Sequence, residues 1–178
     1  MNFNPVYSFV AMKEIKPTEI KENAIRLIAD DWMLVTAGRI DSFNMMTASW
    51  GMIGEMWGMP VAETVVRPQR YTHEFIEREG RFTLSFFGNE IKSILGVMGS
   101  KSGRDIDKMH YLGLTAIELP DKQVGFAEAR LTLECEVVYA DDFKPEAFKD
   151  SSLIDKWYDN DLHTRYIGRI VKVWTTDD

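Results

Sequence analysis

The hydrophobic pattern changes its period several times along the chain. The first periodic segment follows Pro17, and its apolar residues keep the spacing of a helix: Ile20, Ala24, Ile25 and Ile28. Two short runs of strand character come next, over 32–38 and 45–51, with turn-forming residues at 39–44 between them. We expect these two strands to pair as a hairpin.

The rest of the chain mixes strand and helix patterns unevenly. A β-branched run over 62–67, bracketed by Pro60 and Pro68, predicts a strand. Thr72 precedes a helical pattern as its predicted cap, and Gly80 ends that helix. The remaining predictions are a strand over 81–87, a helix over 89–99, a loop over 100–105 before another short helix, a long strand over 126–139 and a last strand over 163–174. The long strand has apolar residues on the face of Cys135 and places these on the other face: Glu128, Arg130, Glu134 and Glu136.

The order of these elements indicates the fold class. Helices that interrupt the strands irregularly favour a mainly β, antiparallel barrel with peripheral helices over a doubly wound sheet. No internal repeat, low-complexity tract or charge block divides the chain, so 1–178 is predicted to be one domain.

The charge balance restricts the partners. The formal net charge of -7 and the pI near 5.0 repel polyanions, so we expect no nucleic-acid binding, and any phosphate must be held by a local cluster of donors. The start, Met1–Tyr7, lacks the pattern of a secretory signal, and the apolar stretch 45–60 is too broken to span a membrane. Cys135 is the single cysteine, which fits a reducing compartment. We therefore expect a cytoplasmic location.

Several reaction classes lack the residues they need. There is no GxSxG elbow and no GxGxxG fingerprint, and 96–102 does not have the residue order of a phosphate-binding loop. The three histidines are isolated from one another and from cysteine pairs, so we expect no metal site. Adjacent aspartates lie in predicted turns, and none indicates a general acid. Cys135 on an apolar strand face is expected to fill the core.

The run Asn44–Trp50 combines flat apolar side chains with hydrogen-bonding groups, as a flavin site requires. On a strand, Asn44, Met46, Ala48 and Trp50 share one side, and Met45, Thr47 and Ser49 share the other. The alternative is an ordinary barrel strand whose Met and Trp side chains are core and whose Thr and Ser side chains face water.

Five segments together resemble the flavin reductase-like, FMN-binding split-barrel family, which includes the flavoredoxins. They are Asn44–Trp50, the strand after Pro60, Arg70–Phe82, Ser102–Lys108 and His163–Gly168, and the resemblance extends from about Ala37 to about Val173. It implies an antiparallel Greek-key split β-barrel that binds FMN non-covalently. The implied cofactor contacts in the first segment are Asn44, Met46, Thr47, Ser49 and Trp50.

The resemblance implies that Arg70 and Thr72 hold the polar tail of the flavin, since a helix N-terminus and a guanidinium both favour an anion. The alternative is that Thr72 only caps its helix and that Arg70 is a solvated charge. Ser102, Arg104 and Lys108 form the second phosphate group that the resemblance implies, and an ordinary exposed loop is the alternative. The choice among Lys101, Arg104 and Lys108 stays open.

His163 matches a histidine that many family members carry near the flavin in a Gly-Asp-His context. Here the context is Asp161-Leu162-His163, so a histidine that ends a strand is an equal alternative.

The implied activity is hydride transfer from NADH or NADPH to flavin N5, followed by transfer to a free flavin, a metal complex or a redox partner protein. No catalytic side chain is required, because the cofactor carries the chemistry. The resemblance also implies a homodimer, for which the Met-rich stretch 52–59 is a candidate interface. The alternatives are an FMN-binding electron carrier without its own NAD(P)H activity and a non-catalytic flavin-binding protein.

Overall fold

A computed structural model of the chain describes residues 12–176, with the side chains of residues 111 and 112 excepted. The start Met1–Tyr7, where no secretory signal is predicted, lies outside this range. The strands are β1 Lys13–Ile15, β2 Met33–Arg39, β3 Ser42–Ala48, β4 Gly51–Met56, β5 Met59–Val66, β6 Arg81–Phe86, β7 Ala116–Glu118, β8 Val124–Phe126, β9 Leu131–Asp142 and β10 Thr164–Thr175. The α-helices are α1 Ala24–Arg26, α2 Tyr71–Glu79, α3 Lys92–Ser100, α4 Lys108–Leu112 and α5 Ser152–Trp157.

The main sheet is antiparallel and has the strand order β3-β2-β6-β9-β10-β5-β4, with β1 paired to β10. The two edge strands, β3 and β4, follow each other directly in the chain and are joined by Ser49 and Trp50. The sheet therefore curls until its edges approach at this link, which makes a split barrel. The mainly β prediction with peripheral helices is confirmed. Within residues 12–176, no helix is long and apolar enough to cross a membrane.

The predicted hairpin is confirmed as β2 and β3, which pair from Met33 opposite Ala48 to Arg39 opposite Ser42. Its turn is shorter than predicted and consists of Ile40 and Asp41. Gly38 makes the close pairing possible, because it has φ +117° and any Cβ there would overlap the backbone of Ser42 and Phe43.

Three predicted elements differ in the structure. The helical spacing over 20–28 yields only the short α1, whose cap Asn23 accepts from the Arg26 amide at 3.1 Å, followed by a π turn over 27–31. Pro60 lies inside β5, because a residue near the hairpin end loses little without an amide hydrogen. The long strand predicted over 126–139 is broken after β8, because the Ala129 amide turns back to the Phe126 carbonyl.

The cap predicted at Thr72 is wrong. Helix α2 begins at Tyr71, its N-cap residue is Arg70 without a side-chain capping bond, and Thr72 is fully buried in the first turn. Gly80 ends the helix as predicted, with φ +62°.

Two clusters of buried side chains cover the two faces of the central strands. Cys135 belongs to the first cluster, inside the barrel, where burial raises the pKa of its thiol. The second cluster packs beneath α3 and the β7–β8 hairpin. This cover explains why Glu134 is buried, on the β9 face opposite Cys135, with Oε1 accepting from Trp174 Nε1 at 2.6 Å.

Candidate functional site

A group of buried polar side chains joins the start of β3 to α2 and α4. Asn44 is 5% exposed, and its Nδ2 donates to Thr72 Oγ1 at 2.7 Å. Lys108 is equally buried, and its Nζ donates to the Met45 carbonyl at 2.5 Å. Gly103 closes this group, because a Cβ at that position would overlap Asn44 Oδ1. Three segments that are distant in sequence, around residues 44, 72 and 103–108, thus meet at one end of the barrel.

Two cations of this group have no acidic partner among residues 12–176. The Arg70 guanidinium donates only to carbonyls, to Gly99 at 2.7 Å and to Met98 at 3.3 Å. Burial and the nearby Arg70 lower the pKa of Lys108 to about 8. Burial and the nearby Arg67 also lower the pKa of Arg70. These positive charges repel one another and create a local positive potential in a chain of net charge -7. Such a potential attracts an anion.

The first turn of α2 adds donors to this cation pair. The His73 amide donates to the Arg70 carbonyl at 2.9 Å, which leaves the amides of Tyr71 and Thr72 as the leading donors, at the end where the helix dipole favours negative charge. Arg70 is the residue that precedes the helix, so its side chain and these amides belong to the same corner. The donor set fits a phosphate dianion, which accepts several hydrogen bonds at once.

The loop after α3 divides its predicted site residues into two groups. Arg104 donates to Glu74 and to the Gln69 carbonyl, and it lies 4.7 Å from the centroid of the Tyr71 ring. The Ser102 hydroxyl accepts from the Arg104 amide at 3.2 Å. The charge of Arg104 is therefore already paired, and the geometry favours Lys108 as the cation available to an anion.

The remaining β3 candidates have different environments. Met46 is 6% exposed and packs within the first hydrophobic cluster, so the structure gives it the place of a core residue. Thr47 Oγ1 donates to the Leu95 carbonyl at 2.5 Å, which ties β3 to α3. Ser49 is exposed at the link between β3 and β4.

An aromatic cluster surrounds this link, and we name it by its members Trp50, Trp157, Tyr158 and His163. The Trp50 ring centroid lies 5.1 Å from that of Trp157 and 5.3 Å from that of His163. His163 Nδ1 is 3.1 Å from the Tyr158 hydroxyl. Burial and the positive charge of Arg67 lower the pKa of His163 to about 4, so the imidazole is neutral at physiological pH.

An open apolar cavity of about 540 Å³ borders the same link. Ser49 and Trp50 form one wall, and residues of α1, β4 and β5 form the others. Glu63 is the buried acid of this lining, and its carboxylate accepts from Arg165 at 2.6 Å. The volume of this cavity lies in the size range of small-molecule sites.

Helix α2 connects the cation group to the aromatic cluster. Thr72 contacts Asn44, and the next residue, His73, has its Nε2 3.2 Å from Thr164 Oγ1, directly after His163. Trp50 lies six positions after Asn44, two residues beyond the end of β3, which corresponds to at most about 20 Å of extended chain. The site is thus an elongated arrangement with charge at one end and aromatic rings at the other.

Sequence reasoning missed Trp157 and Tyr158, whose rings contact Trp50, and it missed Arg67, whose charge lowers the pKa values of Arg70 and His163. Arg67 bonds to Asp161 across 94 positions of sequence, and no local pattern marks a contact of that range. Within 12–176, no group of three or more His, Cys, Asp or Glu side chains is arranged to hold a metal ion.

The flavin reductase like domain model matches residues 25–178. The chain therefore belongs to the flavin reductase-like domain family. A curated protein of uncharacterised function from Archaeoglobus fulgidus is 26% identical over 141 residues, which are 79% of this chain and 69% of that protein. A high molecular weight rubredoxin from Moorella thermoacetica is 30% identical over 105 residues, which are 55% of this chain and 45% of that protein. The chain thus spans about two thirds or less of the length of these relatives.

Solved structures share the fold. An FMN-binding domain of a flavin reductase-like enzyme from Shewanella baltica has a TM-score of 0.67 at 18% identity, covering 93% of this chain and 77% of its own. Flavoredoxin from Methanosarcina acetivorans has a TM-score of 0.64 at 20% identity, covering 82% and 68%. A NADH:FAD oxidoreductase from Streptomyces globisporus, solved with NAD and FAD fragments, has a TM-score of 0.59 at 15% identity, covering 80% and 73%.

Proposed function

We propose that this protein binds FMN non-covalently and that the bound flavin accepts hydride from NADH or NADPH. The observation that carries the proposal is the pair Arg70 and Lys108, which are two partly buried cations without an acidic partner within 12–176, beside the first turn of α2. In a chain of net charge -7, such a pair favours the binding of an anion at this corner. The phosphate of FMN is that anion in this proposal.

Each end of the elongated site has its own task in this assignment. Lys108, Arg70 and the first amides of α2 hold the phosphate, while Asn44 and Thr72 fix the backbone around them. Ser49 and Trp50 face the isoalloxazine ring, and the apolar cavity beside them excludes water from one side of it. His163 stays neutral, so it offers a hydrogen bond without placing a positive charge beside the ring.

The bound FMN supplies the redox chemistry at its N5 atom, and the chain supplies position and electrostatics. Hydride transfer to the flavin therefore requires no proton-donating side chain. Family membership and the Streptomyces neighbour with NAD and FAD fragments support a pyridine-nucleotide donor. Free flavin, a metal complex or a redox protein is the acceptor in this proposal, and the cytoplasm is its location.

A second function has a specific observation in its favour. The similarity to a high molecular weight rubredoxin supports an electron carrier that receives electrons from another protein and has no NAD(P)H activity of its own. The flavoredoxin neighbours support the same alternative.

We also propose that the protein is a homodimer. Large apolar side chains cluster on the surface around β4 and α1, with Ile25 79%, Met52 57% and Trp57 59% exposed. β4 is also an edge strand of the main sheet. A second copy would cover both the apolar face and the open cavity, as contiguous exposed apolar surface commonly marks an interface.

Titration of the apo protein with FMN, followed by quenching of flavin fluorescence, tests the proposed phosphate site. We expect Lys108→Gln to weaken FMN binding by about 10-fold to 100-fold, because a charge-assisted hydrogen bond is lost. Lys101→Gln is the matched control, since Lys101 is an exposed lysine seven positions away. Equal affinities of the two variants would contradict the assignment of Lys108.

A further inference from the structure

The connection between β9 and β10, residues 143–163, is attached to the body of the protein through Arg67. The Arg67 guanidinium pairs with the Asp161 carboxylate and donates to the Trp157 carbonyl at 2.9 Å. Its Cζ atom also lies 5.5 Å from the centroid of the Tyr158 ring. Gln69 adds a hydrogen bond of 2.9 Å to the same Asp161 carboxylate. One side chain at the end of β5 thus contacts three residues of the connection.

Beyond this polar anchor, the rings of Trp157, Tyr158 and His163 tie the connection to Trp50 in the body of the protein. Its other aromatic contacts are internal, such as those of Phe148 with Phe143 and with Tyr158. Its helix α5 is short and has Leu153 43% and Trp157 44% exposed. Because His163 is the one buried residue of this segment, we expect the segment to lie at the low-stability end of the structure, with its position set by Arg67 together with the Trp50 contacts.

Trp157 is one of three residues of this connection whose rings contact Trp50, and Tyr158 and His163 are the others. The Trp157 ring meets the Trp50 ring edge to face, at 89° and a centroid distance of 5.1 Å. The backbone carbonyl of this same residue accepts from Arg67, so the anchor and the ring contact are made by one residue. Removing the Trp157 side chain would enlarge the space in front of Trp50.

We infer that Arg67 is a positioning residue that holds the 143–163 connection against Trp50, and that Trp157 limits the size of the planar ligand ring that reaches the site. The inference rests on the proposed function, because it assigns Trp50 to the ring end of the FMN site. The ligands concerned are planar aromatic or nicotinamide-like rings that stack beside a bound flavin.

Proteolysis of the protein without FMN tests the role of Arg67. Endoproteinase Lys-C is added to the wild type, to Arg67→Gln and to Arg39→Gln, a control that removes an exposed ion pair with Glu79. We expect Arg67→Gln to be cleaved after the exposed Lys149 and Lys156 about fivefold faster than the other two, because the anchor is lost. Asp161→Asn removes the same ion pair from the other side and is expected to act in the same direction. Equal cleavage rates in folded variants, as judged by circular dichroism, would overturn the anchor.

Equilibrium dialysis of the FMN-loaded protein tests the role of Trp157. The probes are p-hydroxybenzaldehyde, with one ring, and 6-hydroxy-2-naphthaldehyde, with two fused rings. We expect Trp157→Ala to bind the two-ring probe about fivefold more tightly and the one-ring probe unchanged, since a truncated wall opens space without new polar contacts. The control is Leu153→Ala, which truncates another exposed side chain of α5 and should change neither affinity.

The outcomes separate this inference from the function on which it rests. Failure of the wild type to take up FMN would overturn the proposed function and the role of Trp157, while the Lys-C rates would still decide the role of Arg67. Normal FMN uptake with parallel changes in both probe affinities, or with none, would overturn the role of Trp157 alone.

Discussion

Asn44 Nδ2 donates to Thr72 Oγ1 at 2.7 Å and thereby joins β3 to the first turn of α2. Both residues are buried, so neither group has water as a replacement partner. We expect Thr72→Val to lower the free energy of unfolding by about 1–3 kcal/mol, because the Asn44 amide keeps its desolvation cost and loses this acceptor. Chemical denaturation measures the change.

The matched control for this change is Thr64→Val. Thr64 is also fully buried, but within residues 12–176 its hydroxyl has no hydrogen-bond partner. We expect this variant to be as stable as the wild type or more stable, because an isosteric methyl removes an unsatisfied polar atom. If both variants lost the same unfolding free energy, the hydrogen bond between Asn44 and Thr72 would make no specific contribution to stability.

Gly103 allows the loop after α3 to approach Asn44 closely. We expect Gly103→Ala to weaken FMN binding by about 10-fold, because its Cβ would displace the Asn44 amide and disturb the donors that Asn44 fixes. Gly96→Ala is the control, since nothing lies near a Cβ at that position in α3. It should bind FMN normally and gain up to about 1 kcal/mol in unfolding free energy, because alanine is the better helix residue. Normal FMN binding by Gly103→Ala would contradict this reading of the loop.

Lys108 should make FMN binding depend on pH in the alkaline range. Its pKa of about 8 without ligand means that the charge is lost as the pH rises above 8, and a phosphate binds the charged form better. We expect the dissociation constant for FMN to rise between pH 8 and about pH 9.5 in the wild type and to stay flatter in Lys108→Gln. Parallel curves for the two proteins, measured by fluorescence titration, would rule out Lys108 as the phosphate contact.

The same lowered pKa predicts a cost of Lys108 to the stability of the apo protein. A lysine ionises in the unfolded chain with a pKa near 10.5, so between about pH 8 and that value the unfolded state binds more protons. Stability should therefore rise with pH across this window through Lys108, and Lys108→Gln should lack the rise. A variant that is no less stable at neutral pH but binds FMN poorly would mark Lys108 as a residue kept for ligand binding.

His163 should remain neutral well below the usual histidine range. Its pKa of about 4 lies below the unfolded value of 6.5, so the unfolded state binds more protons between these values and stability falls as the pH falls through this window. We expect its imidazole resonances in NMR spectra to titrate near pH 4, and Arg67→Gln to shift the midpoint upward by removing a nearby positive charge. A midpoint between 6 and 7 in the wild type would show that the ring is solvated.

Glu134 should act on stability with the opposite sign. Burial raises the pKa of this carboxyl, and the hydrogen bond from Trp174 only partly opposes that effect. Because the folded state then holds the proton more tightly, stability is lost as the pH rises from the usual glutamate range through the raised pKa. The charges of Asp121, Lys172 and Arg81 also act on this carboxyl. We expect Glu134→Gln to remove the loss of stability that comes from Glu134 as the pH rises. Identical stability profiles of the wild type and Glu134→Gln from pH 4 to pH 8 would contradict a raised pKa at Glu134.

Much of the fold follows from local patterns in the sequence. The strand-like runs over 32–38 and 45–51, with turn-forming residues between them, predict the β2–β3 hairpin, and the glycine at position 80 predicts the end of α2. The periodicity over 20–28 was a weaker guide, because Asn23 starts a new cap within it and limits α1 to three residues. Local patterns thus predict elements well where no competing cap or break lies within them.

The site is less predictable, because its contacts join distant segments. The pattern around Thr72 is that of a cap, and only the approach of Asn44 from 28 residues away reveals its buried role. Arg104 and Lys108 are both basic residues of the same segment, and the sequence does not distinguish their roles. In the structure, Arg104 pairs with Glu74, whereas Lys108 is buried. The face of β9 opposite Cys135 appears polar, but the second cluster covers Glu134. Such differences depend on tertiary neighbours, which no single-sequence pattern contains.

The absorbance spectrum of the purified protein loaded with FMN, recorded before and after anaerobic addition of NADH and then NADPH, tests whether the protein binds FMN and transfers hydride to it. We expect bound-flavin bands that bleach promptly with one of the two nucleotides, which would also identify the donor. Bands that persist with both nucleotides would contradict the reductase function and favour the electron carrier. A protein that shows no flavin bands after loading would contradict FMN binding itself.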